Sequence, residues 1–294
     1  MSRSKRVLAL LVLLSAAGVG NAAEDEDYVA GIEKWRAEFD ADVRTGGWLE
    51  PIGRYPLEEG TTRLGSRPGS DIVLPERAPA HLGVLTRHGR WVAFAPAAGA
   101  SITIDGNAVS ELVELSTQPG KSRIHAGDFE TAVRDIGGDL YVMVRDSHNP
   151  AIAHFKGIQW FPVDPAWRVP AKFVPYAKAE ERPVPMSHID SKKMMTSSGD
   201  VTFRLGGRTL RLRTFTTDDG LFIMFQDRTS GRESYGGGRF LNAPPPKDGA
   251  TILDFNKAFN PYCTVNEFVV CAVPPPENRL AVRVAAGAKY SREE

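Results

Sequence analysis

Residues 61–96 read "TTRLGSRPGSDIVLPERAPAHLGVLTRHGRWVAFAP", and their texture decides the fold class. Short runs of Val, Leu, Ile and Thr are broken every few residues by Gly, Pro or Ser-Asp. Strands of four to seven residues joined by tight turns produce that pattern, whereas an amphipathic helix would need an uninterrupted stripe at i, i+3 and i+4. The same texture continues through "SITIDGNAV" (101–109), with an Asp105-Gly106 turn, and "LYVMVRD" (140–146). Residues 56–150 therefore predict an antiparallel β-sandwich.

A second β block follows from residue 151 to residue 294. "HFKGIQWFPVDPAWRVPAKFVPY" (154–176) is bulky and broken by prolines, which suits edge strands and bends. In "VTFRLGGRTLRLRTF" (201–215), Val201, Phe203 and Leu205 alternate with polar residues. Gly206-Gly207 supplies a two-residue turn, and Leu210 and Leu212 return between Arg211 and Arg213. The arginines at 204, 208, 211 and 213 read as a solvated face or as a surface turned toward an anion. "GLFIMFQDRTSG" (220–231) is apolar on both faces, as a central strand should be. "ESYGGGRFL", "ATILDFN", "NEFVVCAV" and "RLAVRVAAG" are read as further strands. The expected second unit is an antiparallel barrel or sandwich, making the whole chain all-β apart from one helix. That helix is "DYVAGIEKWRAEFDADVR" (27–44), where Val29, Ile32, Trp35 and Phe39 form a docking stripe within the connecting residues 23–55.

The chain opens with Arg3, Lys5 and Arg6 ahead of an apolar run and the small triplet Gly20-Asn21-Ala22. Residues 1–22 have the layout of a cleaved secretory signal, which places the protein in the periplasm or outside the cell. Its removal takes the charge from 36 basic against 36 acidic residues to 33 against 36. A near-neutral balance argues against nucleic acid as a partner, and no later stretch has the length and apolarity of a membrane helix.

The chemistry-bearing residues gather late. No His-Glu-x-x-His pair, phosphate-binding Gly-rich loop or complete Gly-x-Ser-x-Gly elbow occurs, so neither a metal nor a cofactor is expected. The glycines of "SYGGGRF" lie between strands and read as a sharp bend where backbones approach, with Arg239 as a ligand contact. Cys263 and Cys271 are the only cysteines. In an oxidising compartment they predict a disulfide, which would contribute about 2.5 kcal/mol by closing a short loop. A thiol acting as a nucleophile would instead need a nearby base and a free partner cysteine. Around them, Arg239, Asp254, Asn256, Asn260, Asn278 and Arg279 form the expected ligand-binding set. Asp254 and Glu277 are the two carboxylates able to act as a general base, with arginines stabilising negative charge. The competing reading assigns the Asn and Asp side chains to their own turns.

Two resemblances add to this. Gly65, Ser70-Asp71-Ile72, Leu74 and His81 resemble the forkhead-associated fold over residues 56–146, which implies a sandwich with a buried structural histidine. The phosphothreonine-reading arginine of that family is Ser66 here, and its Ser-Arg pair is Ala78-Pro79, so the likeness implies fold and no phosphopeptide site. "GLFIMFQDRTSGRESYGGGRFL" (220–241), "ILDFNKAFNPYC" (252–263) and "PPPENRL" (274–280) resemble a bacterial and archaeal family known only as domain of unknown function 1684. "WLEPIGRYPLEEGTTRLGSRPGSDIVLP" (48–75) is similar to that family's entry segment. This second likeness implies no reaction. The chain is thus expected to be a binding or structural protein with a pocket for a polar small molecule near residues 239–279. The alternatives are a hydrolase-like enzyme and a protein interaction module.

Overall fold

In the computed structural model the described residues are 17–290; most of the expected leader, residues 1–16, lies outside them. Helix α1 (Ala17–Thr45) precedes strands β1 (Pro51–Pro56), β2 (Gly60–Gly65), β3 (Ile72–Val73), β4 (Gly83–His88) and β5 (Trp91–Pro96). Short strands β6 (Thr103–Ile104), β7 (Asn107–Ala108), β8 (Val113–Glu114) and β9 (Ile124–Ala126) lead to the β10 (Phe129–Ile136) and β11 (Asp139–Asp146) hairpin. After α2 (Pro150–His154) come the long strands β12 (Arg168–Pro185) and β13 (Lys192–Leu205). They are followed by β14 (Arg208–Arg213), β15 (Phe215–Thr217), β16 (Gly220–Phe225), β17 (Arg239–Ala243) and β18 (Ala250–Asp254). No described helix is long and apolar enough to cross a membrane.

The first unit is a sandwich. A six-stranded sheet in the order β1-β11-β10-β9-β6-β7 faces a five-stranded sheet in the order β3-β2-β4-β5-β8. In β11 every second residue points inward, burying Leu140, Val142 and Val144, and these meet Leu85 and Phe94 from the opposite sheet in one apolar cluster. Because β1 pairs with β11, the sandwich takes in Pro51–Pro56, part of the stretch expected to be connector. His81 differs from its expected role as a buried structural histidine. Its ring is exposed, with Nε2 3.4 Å from Nη1 of Arg67.

The second unit packs a four-stranded sheet (β14-β13-β12-β18) against a three-stranded one (β15-β16-β17). The hairpin turns where expected: Leu205 pairs with Arg208 across Gly206 and Gly207, whose φ values are +56° and +74°. Two glycines supply the positive φ that such a two-residue turn requires. β16 is central and buries Leu221, Ile223, Met224 and Phe225. Gly238, in the glycine run, forms the tight bend. A Cβ there would stand 2.6 Å from the Phe225 carbonyl oxygen and 2.7 Å from Cγ of Pro274.

Two expected strands are absent. Residues 266–273 and 279–287 contain only isolated bridges, at Ala272 and Arg279. For the second stretch the reason is specific. The carbonyls of Val284, Ala286 and Ala288 accept from the guanidinium of Arg239, so a side chain takes the place of a neighbouring strand.

Helix α1 docks on the second unit through an aromatic cluster. Phe39 lies 5.8 Å from Trp160 and 5.2 Å from Phe259 between ring centroids, and Trp35 sits 5.7 Å from Trp160. This is the packing role its aromatic stripe predicts.

Candidate functional site

The late polar residues do not share one pocket. Arg239, at 0 % exposure, pairs with the equally buried Asp227 at 3.1 Å and donates to Thr229 Oγ1 at 3.3 Å as well as to the three carbonyls. Phe225 stacks beneath it, 5.3 Å from the guanidinium carbon. Burial pushes its pKa down and Asp227 resists that shift. A guanidinium so fully enclosed is a scaffold element.

Asp254 and Asn256 hold helix α1. Tyr28 donates to Asp254 Oδ1 at 2.8 Å, while Nδ2 of Asn256 donates to the Tyr28 hydroxyl at 3.0 Å and to the Asp164 carbonyl at 2.8 Å. Asp254 also accepts from the Asn256 amide, as an Asx turn does. Asn260 stands elsewhere, on the wall of a cavity of about 340 Å³ beside Thr264 and Tyr290. Its Nδ2 donates to the Lys289 carbonyl at 2.9 Å, and its buried Oδ1 has no hydrogen-bond partner. Arg279 donates twice to the Gln226 side chain near the surface, at 3.2 and 2.8 Å.

Glu277 and Asn278 belong to a different constellation, one that includes residues not singled out from the sequence as ligands. Asn278, fully buried, clamps backbone: its Oδ1 accepts from the Arg213 amide at 2.7 Å, and its Nδ2 donates to the carbonyls of Arg213 and Met224. That clamp fixes the 3-10 turn Pro276–Asn278 against β14 and sets Glu277 2.7 Å from Arg213 Nη1. On the same face of the hairpin, Asp200 pairs in register with Arg213, and Thr202 with Arg211. Arg211 forms an ion pair with Asp200, and the Tyr176 hydroxyl donates to Asp200 while accepting from Nε of Arg213 at 3.3 Å.

Asp200, Arg211, Arg213, Glu277 and Asn278 line a cavity of about 190 Å³. Its electrostatics are balanced, with two guanidinium groups against two carboxylates. The Asp200 hydrogen bond pushes the Arg211 pKa up. Burial works against the charge on Arg213, but Tyr176, Glu277 and Asp200 together hold its pKa above the ordinary value. Both arginines therefore stay charged, and Glu277 and Arg211 remain half-open to solvent at 46 % and 65 % side-chain exposure. Period-2 alternation put Arg211 and Arg213 on one face in the sequence. The inward Asp200 gave no sequence signal, because Tyr176, which donates to its carboxylate, lies 24 residues away on the neighbouring strand.

A third cavity, of about 520 Å³, lies on the first sandwich between Arg63, Arg67, Ser70 and His81. Arg63 is already matched there by Asp71 at 2.9 Å. Among the described residues no group of three or more His, Cys, Asp or Glu side chains is placed to hold a metal ion.

The expected disulfide is not formed. Cys263 and Cys271 are free thiols, although the Cys263 amide lies only 3.3 Å from Sγ of Cys271. The link between the 263–271 segment and its surroundings is made by hydrogen bonds instead, with Cys271 N donating to Ser187 Oγ at 3.0 Å.

Comparison with known proteins adds family likeness to one part of the chain. No curated protein matches. An uncharacterized protein of Haloarcula marismortui, solved by solution NMR, is 29 % identical over 48 % of this chain and 80 % of its own, with a TM-score of 0.41. The family match begins after the first sandwich and leaves residues 48–75 outside it. Residues 153–289, which include the whole Asp200 cavity, match the family model described as "Protein of unknown function (DUF1684)".

Proposed function

We propose that this is an exported binding protein whose ligand is a small zwitterion held in the cavity lined by Asp200, Arg211, Arg213 and Glu277. The observation that carries the reading is the convergence of two arginines and two carboxylates on one partly open space. A purely anionic ligand would have to displace a carboxylate from an arginine, and a purely cationic one would meet guanidinium groups. A molecule bearing both charges can pair with the exposed groups without leaving either sign uncompensated. About 190 Å³ corresponds to roughly six waters, which fits a ligand of amino-acid size. Export rests on the basic, apolar and small-residue order of residues 1–22.

The carboxylate-hydrolase alternative gains less support. Asp254 is occupied by Tyr28 and its own turn, and Glu277 is paired with Arg213 at 2.7 Å. The forkhead-associated likeness of residues 56–146 is kept as a proposal about fold alone. Ser66, which stands where that family reads phosphate, donates its hydroxyl to the Ala78 carbonyl at 2.8 Å.

Isothermal titration calorimetry of residues 23–294 with glycine, serine and phosphoethanolamine, against acetate and ethylamine, tests the reading. At least one zwitterion should bind while acetate and ethylamine do not, and Arg213→Met should lose that binding. Equal binding of acetate, or no binding by any zwitterion, would overturn it.

A further inference from the structure

The two cysteines meet the conditions a reactive thiol requires, a free partner cysteine and a neighbouring base, and the fold supplies both from distant segments. Cys263 sits on the 3-10 turn Tyr262–Thr264 and is partly exposed, whereas Cys271 is buried. Cys271 is pinned on both sides of its peptide by Ser187, whose amide donates to its carbonyl at 2.7 Å and whose hydroxyl accepts from its N–H. Ser187 and His188 lie at the far end of the β12–β13 hairpin. His188 takes a left-handed backbone, φ +63°, which is uncommon for a residue other than glycine and is held here by its surroundings. Arg54 of β1 donates to the carbonyls of both His188 and Phe268, fastening the hairpin end and the cysteine segment to the same strand.

The Cys263 amide stands 3.3 Å from Sγ of Cys271, and the Ser187 hydroxyl that accepts from the Cys271 N–H brings the hairpin end carrying His188 up to the pair. We propose that Cys263 and Cys271 form a reactive dithiol that exchanges with low-molecular-weight disulfides, Cys263 attacking and Cys271 resolving. The asymmetry in exposure assigns the roles: an incoming disulfide reaches Cys263, and Cys271 waits beneath it. In the first step the Cys263 thiolate forms a bond to one sulfur of RSSR, the S–S bond breaks, and RS⁻ leaves and takes a proton from water. In the second step Cys271 loses its proton to water and attacks Sγ of Cys263, expelling the second RS⁻. Two electrons pass from the dithiol to the small disulfide, giving one intramolecular disulfide and two RSH.

The hydrogen-bond arrangement favours this direction. The contact with Cys271 lowers the Cys263 pKa to about 6 against the opposing effect of burial, with Ser187 and His188 adding to the lowering. Cys271 is pushed the other way, first by its bond to Cys263 and then by burial, so it keeps its proton until the mixed disulfide forms. Thiolate rather than thiol is the nucleophile, so this division makes Cys263 the first to react.

The test uses the reduced full chain with hydroxyethyl disulfide, followed by intact-mass spectrometry without reduction. The wild type should lose two hydrogens and release two equivalents of mercaptoethanol. Cys271→Ser should accumulate one mixed disulfide on Cys263, and Cys263→Ser should react at least about tenfold more slowly. The wild-type rate, which needs no variant, should reach half its maximum near pH 6. Each of three results would overturn the proposal: equal reactivity of the two serine variants, independent modification of both sulfurs without a bridge, or a half-maximal rate at the pH of an ordinary thiol. An oxidised form that small thiols cannot reduce while the chain stays folded would likewise mark the pair as a static staple.

Discussion

The two β units bury different chemistry. Among the described residues, the first sandwich buries only three polar side chains, Ser122, Thr131 and Asp146, around a wholly apolar cluster. The second unit buries eleven, among them Arg239, Asp227 and Asp200. The first unit is thus held by transfer of apolar surface from water and by close packing, which tolerate few voids. Much of the second is fixed by networks of buried hydrogen bonds, such as those of Arg239 and Asn278, whose loss would leave buried polar groups unpaired at a cost. That difference explains why residues 280–287 join no sheet, and why an open polar cavity can exist beside the core.

The largest effect should come from breaking the polar scaffold. Asp227→Ala leaves Arg239 buried without its counter-charge, and urea unfolding should show a loss of about 3–5 kcal/mol. The pair Asp227→Leu with Arg239→Met should cost clearly less than the sum of its single variants; strict additivity would contradict a coupled ion pair. In the first sandwich the sensitive change is one of volume. Leu85→Ala, at a fully buried position, should cost about 3 kcal/mol, whereas replacing exposed Val73 with Ala should cost little.

Smaller effects separate the helix dock from the core. Asn256→Ala removes the bridge between Tyr28 and Asp164, and it should speed amide exchange in α1 while costing about 1–2 kcal/mol. Alkaline pH probes the same dock. Burial, then the Asp254 hydrogen bond, raises the Tyr28 pKa above its usual 10, and burial pushes Tyr262 up to about 12. Phenols whose pKa is raised on folding contribute fully below the unfolded value, so stability should fall as pH rises past about 10. Tyrosine absorbance should show ionisation delayed until the helix releases.

The smallest effect belongs to the first unit's surface. The Arg63 side-chain bond, then its backbone N–H, lowers the Asp71 carboxyl pKa to about 2. Its contribution is complete above the ordinary 3.8 and is lost as pH falls toward 2. Asp71→Asn should lower stability slightly at neutral pH and flatten the acid limb by the same small amount, the two proteins converging as pH falls toward 2.

Local rules carried much of the fold. Gly206-Gly207 and Asp105-Gly106 fixed their turns because positive φ at paired positions is a local demand, and the Ile32, Trp35 and Phe39 spacing identified the docking face of α1. The site was only partly legible. Glu277 and the hairpin arginines could be named, but Asp200, Tyr176 and the Asn278 clamp meet them across sequence separations as long as 65 residues. Arg239 and Asp254 carried charges suited to a ligand, yet the fold directs them to carbonyls and to a helix, which residue type alone does not specify. The cysteine expectation met the same difficulty, since Ser187, which holds the Cys271 peptide, arrives from the end of another hairpin.

The central claim is that Arg239 and Asp227 are closed scaffold, whereas Asp200, Arg211, Arg213 and Glu277 line an open ligand cavity. Backbone and side-chain NMR during titration with serine or phosphoethanolamine tests it most directly. The account predicts saturable shifts concentrated at Tyr176, Asp200, Arg211, Arg213 and Glu277, with Arg239 and Asp227 unmoved and all shifts abolished by Arg213→Met. Saturable shifts centred elsewhere, or none with any zwitterion, would contradict it.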